Sequence, residues 1–141
     1  VRVINAAIKE SGDEGVVILD APPGTSCPFI QTVDKADFVV LVTEPTPFGL
    51  SDLRQSVETL KEMSKEPAVI INRSDIGDRD VAGYLEKEKI PLLAEIRYDP
   101  AIARAYSEGR LVTDEMPELA SLFEELADKI IDRYGTGSSK R

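Results

Sequence analysis

The chain has 141 residues and a mass of 15.5 kDa, room for one ordinary domain with its own core. Its 17 Lys and Arg against 26 Asp and Glu give a formal charge of −9. That balance argues against a nucleic-acid partner or an anionic membrane surface, because both need an excess of cationic side chains. With no His, a Ser-His-Asp triad and imidazole metal ligation are excluded, and a single cysteine, Cys27, excludes an internal disulfide. The apolar runs are too short to span a bilayer and no signal peptide is visible, so the expected location is cytoplasmic. The chain begins at Val1 without Met, as a fragment begins.

Val3, Ile4, Ala7 and Ile8, ahead of Gly12, have the spacing of a helix tail leading into a first strand at Val16-Val-Ile-Leu19. Three further apolar runs follow at Phe38-Val-Val-Leu-Val42, Ala68-Val-Ile-Ile71 and Pro91-Leu-Leu-Ala94 with Ile96. None alternates polar with apolar residues, so all four read as strands covered on both faces. Between the second and third, Leu50, Leu53, Val57, Leu60 and Met63 share one helical face, with Ser51 or Asp52 placed to cap it. Val81, Tyr84 and Leu85 mark a shorter helix. Ile102, Ala105 and Tyr106 mark another, closed by Gly109. The last helix opens at Pro117 and carries Leu119, Leu122, Phe123, Leu126, Ile130 and Tyr134 on one side. Strand and helix alternate, which predicts an α/β fold, a three-layer sandwich with a mostly parallel sheet over residues 1–134. Residues 135–141 read as a flexible tail.

Ligands of open parallel sheets bind beyond the carboxyl ends of the strands. There the chain places Asp20-Ala-Pro-Pro-Gly-Thr-Ser-Cys27, Thr43-Glu-Pro-Thr-Pro47, Asn72-Arg-Ser-Asp75 and Arg97-Tyr-Asp-Pro100. Pro22 and Pro23 have no N–H, so the first amide donors after Ala21 belong to Gly24 and the residues behind it. The missing Cβ of Gly24 permits close approach to an oxyanion. A carboxylate beside such amides suits a Mg²⁺–phosphate ligand. It equally describes a tight turn with a capping aspartate, since Asp, Pro and Gly are the common turn residues.

Taken together, Asp20-Ala-Pro-Pro-Gly-Thr25 after a Val/Ile strand, Leu41-Val-Thr-Glu-Pro45 and Val69-Ile-Ile-Asn-Arg73 resemble the MinD/ParA/Mrp superfamily of deviant-Walker P-loop ATPases. The stretches Asp20 to Pro28, Thr43 to Leu53 and Asn72 to Gly77 are most similar to its archaeal and bacterial subgroup with an inserted ferredoxin domain. The resemblance runs from about Gly15 to the last helix and implies the C-terminal part of a P-loop NTPase-like domain. Asp20 then matches the aspartate that holds Mg²⁺ through water, and Pro23-Gly24 the turn whose glycine amide senses the γ-phosphate. This makes Asp20 and Gly24 the residues implied for catalysis. Asn72 matches the asparagine that recognises adenine and Arg73 the residue beside the base. Ile96-Arg-Tyr-Asp99 lies where the family usually has a Pro-x-Asp turn against the adenine. Arg97 stands in the place of the proline and Asp99 keeps its own.

The resemblance implies ATP or ADP and Mg²⁺ as ligands, a homodimer closing over the nucleotide, and an iron–sulfur or redox partner. The Gly-rich phosphate loop of the family is not visible: 19 residues precede Asp20 and contain no Gly-Lys-Ser/Thr. The chain alone is therefore expected not to hydrolyse ATP. Cys27 reads either as a small buried apolar residue or, seven residues after Asp20, as resembling a cluster-ligating cysteine of the nitrogenase iron protein. Two copies of the chain would supply two thiolates where a cluster normally takes four. Two other functions stay open: an ATP-dependent carrier of iron–sulfur clusters, and a non-enzymatic α/β scaffold.

Overall fold

The structure, a computed structural model, describes residue 10 and residues 15–134. The helix tail expected at Val3–Ile8 and the tail at 135–141 lie outside the described residues. In chain order the elements are α1 (Cys27–Lys35), β1 (Val39–Thr43), α2 (Pro47–Glu62), β2 (Pro67–Asn72), α3 (Asp80–Glu88), β3 (Leu92–Ile96), α4 (Pro100–Ser107), the one-turn α5 (Val112–Glu115) and α6 (Pro117–Tyr134).

The sheet has three parallel strands in the order β1-β2-β3, so β2 is central. Its sequence is apolar on both faces for that reason, and every residue of it but Asn72 is buried. Val69 and Ile71 point to one face, where they meet Leu53 and Val57 of α2 and Val81 and Leu85 of α3. Ala68 and Ile70, on the opposite face, are buried as well, and α6 packs against β3. A second cluster joins Phe29 and Val33 of α1 to Val39 of β1 and Leu60 of α2. The chain is thus an α/β protein with a parallel sheet flanked by helices.

The first apolar run departs from the expectation. Val16–Leu19 forms no strand among the described residues; Val16 is 69% exposed and Ile18 89%. A strand exists through its ladder, and among the described residues β1 pairs with β2 alone. The segment instead leads into the wall of a cleft facing β1, and its apolar side chains stay in solvent.

Helix α2 starts earlier than predicted. Thr46, not Ser51 or Asp52, is the N-cap, its hydroxyl accepting from the Gly49 N–H at 3.0 Å with Pro47 in the first turn. Helix α1 has no counterpart in the sequence reading. The i, i+4 pair Phe29 and Val33, with Pro28 in the first turn, is its signal. Helix α6 spans the predicted residues and buries Leu126, but Phe123 is 39% exposed rather than turned into the core.

Candidate functional site

An open cleft of about 620 Å³ is lined by β1 from Val40 to Thr43, by α2 as far as Ser56 and by the turn at residues 20–24, and it reaches Asn72 at the end of β2. Its lining includes Asp20, Pro23 and Gly24 on one side, Thr43 and Glu44 at the end of β1, and Asn72 at the end of β2. Four of the residues singled out in the sequence therefore meet around one space. Arg73, Arg97, Asp99 and Cys27 do not line it.

Each position has a local cause. Asp20 is exposed at the end of the unpaired run, its carboxylate free of any hydrogen bond within the described residues, so it keeps its full capacity to accept. Gly24 has φ +83°, the left-handed region, and nothing stands within 4 Å of where a β-carbon would be. The turn thus leaves backbone open to the cleft. Asn72 is the last residue of β2, in register with Ile96, and is partly exposed.

Thr43 is buried, and its hydroxyl donates to the Gly49 carbonyl at 3.0 Å, tying the end of β1 to the first turn of α2. Phe48, 84% exposed, stands at the mouth of the cleft.

The loops behind Asn72 are knit together. Arg73 has φ +51°, a backbone conformation that costs a non-glycine residue about 1–2 kcal/mol. Its side chain pairs with Glu44, Nε to Oε1 at 3.5 Å, and lies over the Tyr98 ring, 5.7 Å from the centroid. The Ser74 N–H donates to the Ile96 carbonyl at 2.9 Å. The Tyr98 N–H donates to Asp75 Oδ1 at 2.7 Å, and Arg97 Nε lies 3.5 Å from Asp75 Oδ2. The bond from Tyr98, assisted by Arg97, holds the Asp75 carboxyl below the usual carboxylate range. Its folded value lies below its unfolded one, so this contribution is complete above the ordinary carboxylate range and is lost as pH falls through the lowered folded value.

Asp99, linked to adenine by the resemblance, is the N-cap of α4 and accepts from the Ala101 N–H at 2.8 Å. Arg97 is 81% exposed at the side chain. Cys27 is exposed in the first turn of α1, which corrects the expectation of a buried apolar residue: Pro28 and Phe29, not the thiol, pack inward. Among the described residues no group of three or more His, Cys, Asp or Glu is placed to hold a metal ion, so an iron–sulfur cluster does not fit this chain's own ligands. No helix among the described residues is long and apolar enough to cross a membrane.

Asp75, Tyr98 and Glu44 stand in the strand-end segments singled out in the sequence but carry no assigned role there. They stand one, three and two residues beyond the ends of β1, β2 and β3 for Glu44, Asp75 and Tyr98, and that placement was the available signal.

Comparison with known proteins gives the site a setting. The chain is 33% identical over 114 residues to the uncharacterized protein MJ0579 of Methanocaldococcus jannaschii, covering 81% of this chain and 39% of that protein. It is 31% identical over 102 residues to an iron-sulfur cluster carrier protein of Rickettsia bellii, covering 70% of this chain and 32% of the relative. It is 28% identical over 134 residues to the chloroplastic septum site-determining protein minD homolog of Arabidopsis thaliana, covering 89% and 41%. The chain thus spans less than half the length of each of these relatives. No protein-family profile matches it. No solved structure matches it either.

Proposed function

The chain belongs to the MinD/ParA/Mrp superfamily of P-loop ATPases, and on that premise we propose that it forms the switch-turn and base-recognition side of an ATP site serving iron–sulfur or electron-transfer function. The observation that carries this reading is the convergence of Asp20, Gly24 and Asn72 on one cleft at the carboxyl end of a parallel sheet. The exposed Asp20 carboxylate is a hard oxygen donor suited to Mg²⁺ or its waters. The backbone at Gly24 is open to a phosphate oxygen, and the Asn72 amide offers both a donor and an acceptor to a base edge. A bound γ-phosphate would bias the 20–24 turn, which leads directly into α1, so nucleotide state would reach whatever packs on that helix.

Closing the site takes phosphate-loop residues that this chain does not show. Within the full-length protein we place the nucleotide at a homodimer interface, with hydrolysis as the switch. Binding of a fluorescent ATP analogue to that protein tests the reading. Asn72→Ala is expected to weaken binding roughly tenfold or more, the effect of losing hydrogen bonds to the base. Asp20→Ala is expected to abolish the strengthening of binding by Mg²⁺. Wild-type affinity and Mg²⁺ dependence in both variants would contradict the proposal.

A second reading, an ATP-dependent carrier of iron–sulfur clusters, is favoured by the Rickettsia relative, whose name gives it that role. The cluster would be cargo, held by ligands beyond this chain's own, with the exposed Cys27 nearby. Transfer of a labelled cluster from the full-length protein to an apo-acceptor separates this reading from a switch without cargo.

A further inference from the structure

The segment from Arg97 to Asp99 follows β3 at the point where Ile96 stands in register with Asn72. It is held at three places. The Ile96 carbonyl accepts from the Ser74 N–H at 2.9 Å, the Tyr98 N–H donates to Asp75 at 2.7 Å, and the Asp99 carboxylate caps α4. The first bond extends the β2–β3 ladder by one step, and the third is local to α4. The second joins the loop after β3 to the loop after β2 through the Asp75 side chain, and of the side-chain links between these loops, which include the Arg97–Asp75 pair and the Arg73–Tyr98 contact, it is the one that holds a backbone group. Asp75 uses both oxygens there, Oδ1 for the amide and Oδ2 toward Arg97. The Tyr98 ring, half exposed, is steadied separately under Arg73, which also reaches Glu44 behind β1.

We propose that Asp75 is a positioning residue for the base side of the nucleotide site. By fastening the Tyr98 amide it fixes residues 97–99 relative to Asn72 before a ligand arrives. The inference rests on the nucleotide reading above and goes beyond it by assigning a role to a residue that does not line the cleft. Residues 97–99 do not line the cleft themselves, so the effect on a ligand runs through Asn72, beside which Ile96 leads into that segment, and a binding group displaced by about half an ångström loses much of its hydrogen-bond energy. The Arg97 contact is secondary, since that side chain is largely in solvent and an exposed ion pair contributes little. The Oδ1 atom does the fastening, and that separates two substitutions. Asp75→Asn keeps an oxygen acceptor for the Tyr98 N–H, whereas Asp75→Ala removes it.

Amide hydrogen exchange at Tyr98 and MgATP-analogue affinity, measured together on the full-length protein, test the proposal. Asp75→Ala is expected to exchange the Tyr98 amide about tenfold faster and to weaken the analogue several-fold. Asp75→Asn is expected to restore both towards wild type, and Arg97→Ala to leave the Tyr98 exchange unchanged. A melting curve for each variant checks folding, and the Asn variant keeps the test sharp if the Ala variant is destabilised. Unchanged Tyr98 exchange in Asp75→Ala would overturn the fastening whatever the protein binds. Faster exchange with undiminished affinity would overturn the positioning role. Absence of MgATP-analogue binding by the wild-type protein would instead overturn the nucleotide reading, and with it the role of Asp75 toward that ligand; the exchange result would still decide the fastening.

Discussion

Gly77 is fixed by close approach rather than by turn geometry. A β-carbon there would stand 1.5 Å from the carbonyl oxygen of Pro45, and the same oxygen accepts from the Asp78 N–H at 3.3 Å. Pro45 is buried backbone, so it has little room to give. Gly77→Ala is therefore expected to push the loop after β2 away from the loop after β1 and to destabilise the fold by about 1–3 kcal/mol, the usual cost of overpacking. Thermal unfolding together with amide exchange at Asp78 checks this, and unchanged stability would show that the two loops yield freely. Residue placement was partly legible in the sequence. Asp20, Gly24 and Asn72 were named for chemistry and do converge, because strand ends of a parallel sheet collect at one edge. Asp75 and Tyr98 stand in the same strand-end segments, but their partnership was not legible because it spans 23 residues and depends on the register of β2 against β3, which no local spacing encodes.

Elements were more legible than their ends. The three apolar runs that became β1, β2 and β3 are found within a residue or two of their sequence positions, but only β2 is covered on both faces as expected; at the sheet edges Val42 of β1 is 65% exposed and Leu92 of β3 41%. The run at 16–19 has the same composition and no ladder, so composition marks a capacity to pair and not the pairing itself. Capping followed the same division. Helix α2 was placed by its apolar stripe, but its start is decided by the Thr46 hydroxyl meeting the Gly49 N–H at 3.0 Å. Thr46→Ala is expected to cost about 1 kcal/mol and Ser51→Ala close to nothing, read from urea unfolding midpoints. Equal effects would return the cap to the position read from the sequence.

Across the whole molecule, the charge of −9 and the absence of His leave little on this chain for acid–base catalysis near neutral pH and direct attention to oxygen donors and amides. The cleft supplies both: an exposed carboxylate at Asp20, open backbone at Gly24 and a side-chain amide at Asn72. The surrounding loops are braced, with Glu44, Arg73 and Tyr98 in one chain of contacts and Asp75 in another. A braced edge beside one open turn is what the proposed nucleotide switch would use. The most direct test is residue-resolved: amide NMR shifts of the full-length protein during titration with a non-hydrolysable MgATP analogue. The account predicts saturable shifts at Gly24 and Asn72, and none in a second, separate groove between α2 and α3 that is lined by Arg54, Glu58, Lys61, Lys87 and Glu88. Shifts confined to that groove, or none at Gly24 and Asn72 at saturating analogue, would contradict it.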